Sequence, residues 1–549
     1  MKLRHLLFGL LAGVAFVACT NDNEPAGVTP VNGGDEVAAV DGYMSLKFAM
    51  PGDNAATRAE EGWSNEDGFL AADADEIAVS GATILFFDGD VQVADPFNTS
   101  DYDSKWSAGL GSIDKEHEAV IVLRNAVKNP TSIVAILNAL PQGVTVTRQT
   151  TMPQLLALAG DFRKADAKNF VMTNSVFVNG KKVQIGAPVT DANVQKTADL
   201  AKANPVTIYV EKVVAKAKLT NGKDTDTDTD KTTKAGKKIS VTVDKWWLDN
   251  TNPQSFLVKN LATSYTELGN WSGWNDAANF RSYWATAYGI SENTAEHSEY
   301  TEGVALDKVI YAQENTNQDI PTQLVVAATL SVEGAEAGTS IVKYLSEVYT
   351  APDFETLLYG MISEKYSTRT GGAGTTESPY TYASVPKTAF TFDFETNTSE
   401  TTVKFDGKDI EDYEAKVSMT YTGKDALYTT DGTTYTEVPK ATYDADFASL
   451  TRKVQYWDGG ATYYFTPIVH NKDVNVGTGD AAHPLYGIIR NHLYDITIKS
   501  ITGLGTPVAN TNSGKEIIPD IPVDEETYLA AEVKILKYKV VKNEVDLGK

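Results

Sequence analysis

The sequence predicts a mainly β protein, folded as β-sandwiches with a few short helices. Short runs of Val, Ile, Thr, Phe and Tyr recur between turn residues, and several of them alternate apolar with polar side chains. Apolar residues make up 42% of the 549 and charged residues 22%, enough to bury more than one core. No cysteine follows Cys19, so packing rather than disulfides must hold that core.

The elements follow in chain order. Lys2 and Arg4 precede an apolar run, residues 6–17, that is too short to span a bilayer permanently and reads as a secretory signal, residues 1–18. Ala18 then Cys19 resembles a bacterial lipobox, with cleavage before Cys19 and a lipid such as palmitate on its thiol. A single acyl chain holds a membrane only marginally, so the anchor is expected to serve transit. Residues 20–40 are a polar tether. In residues 43–50, beginning with Tyr43, the side chains Met44, Leu46, Phe48 and Met50 alternate with small or polar ones, the period of a half-buried strand. A soft loop follows that contains Arg58 and Ala59.

Strands are expected near residues 83–87, 120–123, 133–137, 183–185, 206–210, 213–219 and 239–248, with a helix over 151–162 capped by Thr151. Helical patterns follow around 277–287 and 354–366. The Asp/Thr alternation at Asp224–Asp230 reads as a solvated surface loop. It lacks the Gly and Glu of a calcium loop. Residues 369–379, with three glycines, read as a flexible loop without a phosphate motif.

A net charge of −25, from 48 basic and 73 acidic residues, argues against nucleic acid or an anionic membrane surface as a main partner. His117, His297, His470, His483 and His492 have no metal-ligand spacing. Neither a nucleophile elbow nor a nucleotide fingerprint is present, so no catalysis, cofactor or metal is expected. Trp246, Trp247, Trp271, Trp274, Trp284 and Trp457, with Tyr456, Tyr463 and Tyr464, form either core or a sugar platform. The second option would make the chain a glycan-binding surface lipoprotein.

The two ends carry the mechanism. In the C-terminal run Val533 and Ile535 share a face, and after a slip at Leu536 Tyr538 and Val540 continue it, so a bulge is expected. Val545 and Leu547 complete the apolar run. A long terminal apolar strand is an aggregation hazard unless something pairs with it. Cutting at Arg58 would free the 43–50 strand and open a groove for such a segment from another chain. Its four large apolar side chains are worth about 6–12 kcal/mol gross. The residues leave equally open that both strands stay within their own sheets.

The run from Arg490, Asn491, His492, Leu493 and Tyr494 to Ile501, then Gly503, Leu504, Gly505, Thr506 and Pro507, resembles the C-terminal signature of the Bacteroidales fimbrillins, the type V pilus subunits. Phe170 to Ser175, Trp246 to Asn252, Tyr311 to Thr316 and Tyr538 to Leu547 resemble further blocks of that family. The likeness is greatest to shaft subunits of the minor (short) Mfa-type fimbria of Porphyromonas. It implies transthyretin-like β-sandwiches, one over 59–220 and one over 221–549, with 19–58 as a propeptide. It also implies cleavage between Arg58 and Ala59 by an Arg-specific protease, loss of the Tyr43–Met50 strand, and insertion of a C-terminal donor strand (Val533 to Leu547) from the next subunit. The implied partners are further copies of this chain, anchor and tip subunits, and host or bacterial surface receptors. The implied setting is an outer-membrane lipoprotein precursor whose mature form lies in an extracellular fimbria, with roles in adhesion, biofilm formation and virulence. A tip or anchor role in the same fimbria is the alternative.

Overall fold

The computed structural model describes residues 42–49, 75–76, 78–98, 117–175, 177–179, 182–221, 226–260, 286–289, 303–317, 319–398, 400–470, 486–511, 528–537 and 540–543. The chain is mainly β, as its composition predicts. Its first sheet runs in the order Val91–Gln92, Ala82–Asp88, Ser132–Leu137, Met172–Asn174, Val206–Lys212, Gly42–Ala49, His117–Leu123. The strands Ala82–Asp88 and Ser132–Leu137 are almost continuously apolar because both faces of this sheet are covered. Ile84, Phe86, Ile133 and Ala135 pack with Met44, Leu46 and Ile208 on one face. Leu85, Phe87, Val134 and Ile136 pack with Leu155, Phe162 and Phe170 on the other.

The helix Met152–Ala157 begins at the expected cap, where Thr151 and Gln154 form a capping box, but it is shorter than the predicted 151–162. Ala159–Gly160 instead pairs with Ser255–Phe256. A Cβ on Gly160 would lie 2.7 Å from Val144 Cγ2, a close approach that favours glycine there.

Two further sheets face each other across the largest core. One is ordered Val309–Ala312, Ala215–Asn221, His492–Thr502, Tyr528–Lys537, Val540–Asn543, and the other Asp226–Thr232, Lys238–Asp249, Gln323–Val332, Ala461–Pro467, Thr506–Pro507. Ala217, Leu219, Tyr494, Ile496 and Ile498 from the first meet Val241, Trp246, Leu248, Leu324 and Val326 from the second. The Asp/Thr run, expected as a loop, is an edge strand over Asp226–Thr232. Pairing with Lys238–Asp249 and the buried Thr229, whose Oγ1 donates to the Ile239 carbonyl at 2.8 Å, hold it there. Charged residues on such an edge discourage further strand addition.

Between the adjacent strands Gln323–Val332 and Ala461–Pro467 the chain detours through residues 333–460. The detour builds a sheet ordered Glu347–Thr350, Ile341–Tyr344, Arg452–Trp457, Glu414–Tyr421, Phe390–Glu395. The helix Ala351–Gly360, capped by Thr350, packs Phe354 and Leu358 against it. That helix starts earlier and ends earlier than the expected 354–366, because Thr350 and Pro352 favour a start there. A smaller sheet, ordered Thr381–Ser384, Ser367–Gly371, Leu427–Thr430, Tyr435–Glu437, lies beyond it with the helix Lys440–Ala448. Arg369 is therefore on a strand, and the glycines beyond it form a tight turn rather than a loose loop. Of the helix expected at 277–287, residues 277–285 lie outside the described residues, and Thr286 and Ala287 are not helical.

Gly460, where the detour returns, has φ +82°, and a Cβ there would sit 2.3 Å from the Leu330 carbonyl oxygen. Gly407 has φ +75° with nothing within 4 Å. Gly407→Ala should cost about 1 kcal/mol from backbone conformation alone, and Gly460→Ala about 2–4 kcal/mol once the clash is added. Denaturant titration of both variants reads the difference; equal costs would mean the Leu330 contact is unimportant.

Candidate functional site

The N-terminal strand Gly42–Ala49 occupies the interior of the first sheet. It runs parallel to Val206–Lys212, with Leu46 opposite Val206, and antiparallel to His117–Leu123, with Gly42 opposite Leu123. Tyr43 exchanges two backbone hydrogen bonds with Gln195, at 2.7 and 2.9 Å. Met44, Leu46 and Phe48 are 0, 0 and 5% exposed and belong to the core. At about 1.5–3 kcal/mol each, these side chains contribute about 5–9 kcal/mol gross. A Cβ on Gly42 would lie 2.8 Å from Val194 Cγ1, so the strand enters where only glycine fits without adjustment. Ser45 is fully buried, and its Oγ has no hydrogen-bond partner among the described residues. Cys19, Met50, Arg58 and Ala59 lie outside the described residues.

The strands on either side of Gly42–Ala49 run in opposite directions to each other. Any strand placed between them is parallel to one and antiparallel to the other. Without Gly42–Ala49, both would present unpaired N–H and C=O groups along a slot lined by Val206, Ile208 and Ile121.

At the other end of the chain, Tyr528–Lys537 pairs antiparallel with His492–Thr502, Val533 opposite Ile496 and Ile535 opposite Tyr494. The expected irregularity at Leu536 is absent. The register instead shifts between Ile498 and Ser500, on the neighbouring strand. Nor does the run continue as one strand. Val540–Asn543 folds back antiparallel on Tyr528–Lys537, Val540 opposite Leu536. Tyr538, Val545 and Leu547 lie outside the described residues. This hairpin sits at the edge of its sheet, in contrast to the interior N-terminal strand.

The sequence blocks singled out above converge on a buried cluster of charges between the first sheet and the larger sandwich. Arg490 is fully buried and donates from Nε and Nη2 to Glu314 Oε2, at 2.8 and 2.6 Å. Its Nη1 and Nη2 also donate to the carbonyls of Leu257 and Phe256, at 3.1 and 2.7 Å. Lys259 Nζ lies 3.1 Å from Glu211 Oε2, with both side chains fully buried. Lys212 Nζ lies 2.7 Å from Glu76, which also accepts from Lys216 and from Tyr311 Oη at 2.6 Å. Asn491 accepts from the Lys212 backbone N–H at 3.2 Å, and Thr173 donates to the Leu257 carbonyl at 3.1 Å.

Burial alone would raise the Glu76 carboxyl, but the Lys212 charge and the bonds from Lys212, Lys216 and Tyr311 outweigh it and hold the group at about 2. For Glu211 burial wins over Lys259 and Arg490, and its pKa is raised; its Oε1 has no hydrogen-bond partner among the described residues. Arg490, Asn491, Tyr311 and Thr173 fell inside recognisable blocks. Glu76, Glu211, Lys212, Lys216 and Lys259 were not foreseen, and the only signal was a charged Glu211-Lys212 pair closing the apolar strand Val206–Lys212.

Trp246, Trp247, Trp457, Tyr463 and Tyr464 are all core, at most 1% exposed, and Tyr456 is buried too. They offer no sugar platform; Trp271, Trp274 and Trp284 lie outside the described residues. Among the described residues, no three His, Cys, Asp or Glu side chains are grouped to hold a metal ion.

Residues 455–544 match the family described as major fimbrial subunit protein type IV, fimbrillin, C-terminal, a family of structural subunits. The fimbrillin resemblance read from the motifs is thereby supported over that segment, which contains Arg490, the strand His492–Thr502 and the C-terminal hairpin. A search of curated proteins finds no match. Among solved structures the chain is similar to a fimbrilin from Porphyromonas gingivalis, at 12% identity over 84% of this chain and 91% of that one, TM-score 0.33. It is also similar to a C-terminally truncated tip fimbrial protein of Porphyromonas gingivalis, at 11% identity over 92% and 100%, TM-score 0.28. A fimbrial assembly protein from Parabacteroides distasonis aligns at 11% identity over 71% and 99%, TM-score 0.26.

Glu76 makes acid stability testable. A carboxyl held at about 2 rather than 4.5 stabilises the fold above its ordinary range, and that contribution is lost as pH falls from about 4.5 through 2. The shift corresponds to about 3 kcal/mol at neutral pH. Glu76→Gln should lose this order of stability at pH 7, leaving Lys212 buried beside a neutral amide, and should show a flatter stability profile between pH 4.5 and 2. Denaturant melts at stepped pH check it, and an unchanged slope in that window would remove Glu76 from the account.

Proposed function

We propose that the chain is a structural subunit of a cell-surface fimbria, exported as a lipoprotein through Cys19 and matured by cleavage between Arg58 and Ala59. The observation that carries this reading is the interior position of Gly42–Ala49. A strand with Met44, Leu46 and Phe48 in the core would normally be irreplaceable. Here it reaches its sheet from the N-terminal side of residues 50–74, so one cut at Arg58 severs it from everything that follows. Its departure opens a slot bounded on both sides by unpaired backbone, the template on which β-strand addition works.

The occupant proposed for that slot is the C-terminal segment of a second copy. The slot takes apolar side chains at every second position, as Met44, Leu46 and Phe48 do. Val533 and Ile535, and again Val545 and Leu547, have that spacing, with Tyr538 and Val540 between them. The donor is an edge hairpin at the very end of the chain, so its removal from its own sheet leaves the paired strands Ala215–Asn221 and His492–Thr502 in place. The unit that repeats comprises the first sheet, before about residue 220, and the sandwich after it. The fimbrillin match over 455–544 supports a fimbrial role, and anchor and tip subunits are the further partners proposed. Adhesion and biofilm formation follow from the filament, and the lipid serves transit only.

N-terminal sequencing of the surface form should read Ala59. Arg58→Ala should keep Gly42–Ala49 in the chain and leave filaments absent or much shortened by electron microscopy; normal filaments from that variant would sink the cleavage step. Truncation after Tyr528 should abolish filaments while the monomer still melts cooperatively, since it removes only the edge hairpin. If the monomer proves too weak to judge, Val540→Asp with Leu547→Asp is the finer probe. An unpaired carboxylate in a dry slot costs several kcal/mol, so these donors should fail to polymerise.

A further inference from the structure

The small sheet of the 333–460 detour carries on its outer face a cage of tyrosines around one arginine. Arg369 lies directly opposite Tyr382 on the neighbouring strand. On the other side Ser367 faces Tyr428, and Tyr428 faces Glu437. Alternation along the strands therefore puts Arg369, Tyr382, Tyr428 and Glu437 on one face. The guanidinium carbon of Arg369 lies 3.7 Å from the ring centre of Tyr380, 5.0 Å from Tyr428 and 6.0 Å from Tyr382. Tyr382 and Tyr435 stack at 3.9 Å, within 5° of parallel. Tyr428 Oη donates to Glu437 at 3.3 Å.

The turn that brings Tyr380 into place is specialised. Gly372 has φ +86°, and a Cβ there would lie 2.0 Å from the Pro379 carbonyl oxygen. A Cβ on Gly374, at φ +74°, would lie 2.4 Å from the Tyr380 ring. Both glycines are needed for the chain to fold back and lay Tyr380 over Arg369.

Most cations of this chain that lie in the described residues and matter to the fold are paired with carboxylates, as Arg490, Lys212 and Lys259 are. Arg369 is exposed, and no described carboxylate lies within ion-pair distance of it. Three rings lie within 6.0 Å of the guanidinium carbon and Tyr382 accepts a hydrogen bond from it, which leaves the other N–H groups of the fork for a ligand. Tyr380 and Tyr435 are the exposed aromatics here, 42 and 38% accessible. A flat cation with N–H donors to spare beside exposed ring faces matches a sugar that carries an oxyanion: the remaining N–H groups take the anion and the rings take the C–H face. An extended peptide would call for a groove or a strand edge, and this face is neither.

We infer that the Arg369–Tyr380–Tyr382–Tyr428–Tyr435 face binds an acidic glycan, through a carboxylate or sulfate on a sugar ring. The site is small and open, so one subunit should bind with Kd on the order of 1 mM, and repetition along a polymer would multiply it. The inference does not depend on polymerisation, since a single chain carries the whole site.

The test uses the full chain as a monomer, titrated by ligand-observed NMR with sialyllactose, sulfated lactose, lactose and triglutamate. At least one acidic sugar should bind in the millimolar range, and which one does identifies carboxylate or sulfate as the group read. Lactose and triglutamate should bind at least tenfold more weakly. Arg369→Ala should lose binding at least tenfold. Arg369→Lys keeps a cation over the rings but removes the fork, and should lose about as much. Glu437→Gln should bind equally or more tightly. The inference is overturned if lactose binds as well as the acidic sugars, if triglutamate does, if Arg369→Lys retains full binding, or if no acidic sugar binds below about 10 mM.

Discussion

Arg490 is the residue around which the two halves of the described chain are organised. A guanidinium with no exposure must have every N–H direction answered, because an unpaired buried charge is among the costliest groups a protein can hold. Its answers come from Glu314 and from the carbonyls of Phe256 and Leu257, which belong to segments far apart in sequence. Leu257 in turn accepts from Thr173 of the first sheet. Next to this cluster, Asn491 accepts from Lys212, and Glu211 and Lys212 find Lys259 and Glu76. Remove Glu314 and the buried Arg490 loses the carboxylate to which its Nε and Nη2 donate. Such a network fixes one relative arrangement of the sheets more strictly than apolar packing, which tolerates sliding, would do.

Much of the β framework was legible because its strands advertise themselves. Residues 82–88, 132–137 and 206–212 are dense in β-branched and aromatic side chains, and 492–502 alternates cleanly. The N-terminal strand was legible for the same reason. What failed depended on distant partners. The Asp/Thr run has no apolar face, and only its pairing with Lys238–Asp249 makes it a strand. The first helix stops early because Ala159–Gly160 pairs with Ser255–Phe256, a partner that no local pattern encodes. The charge cluster was half legible, since its members within recognisable blocks stood out, while Glu76 and Lys212, 136 residues apart, look in sequence like ordinary surface residues. The tyrosine cage was illegible because its rings come from four separate strands and turns, and the glycines that seat Tyr380 looked like a flexible linker.

The two ends of the chain are held in different ways. Gly42–Ala49 is an interior strand, so it is fastened by backbone bonds on both sides and by three core side chains. Tyr528–Lys537 is fastened along one side by His492–Thr502 and carries only its own returning arm on the other. Thermal opening alone would therefore favour release of the C-terminal end. The N-terminal strand is held along both edges, and one buried hydroxyl without a hydrogen-bond partner among the described residues, Ser45, lowers its hold only modestly. Under the proposed maturation the edge hairpin is the donor, and the interior N-terminal strand keeps the acceptor closed until it is cut.

The walls of the acceptor slot are unequal, and that inequality sets how a strand would enter. Val206–Lys212 is anchored at its far end, where Glu211 and Lys212 pair with Lys259 and Glu76 and residues 210–212 pair with Met172–Asn174, while residues 206–209 are the part that pairs with Gly42–Ala49. His117–Leu123 has Gly42–Ala49 as its one described strand partner. Once that partner is gone, no described strand flanks this wall, and its core side chains Ile121 and Leu123 remain its hold. A strand entering the proposed slot would meet one wall anchored at residues 210–212, with the apolar side chains Val206, Ile208 and Val210 choosing its face, and one wall without a second described strand partner. The buried charges that join the halves of the chain thus also set the register of the proposed joint between chains.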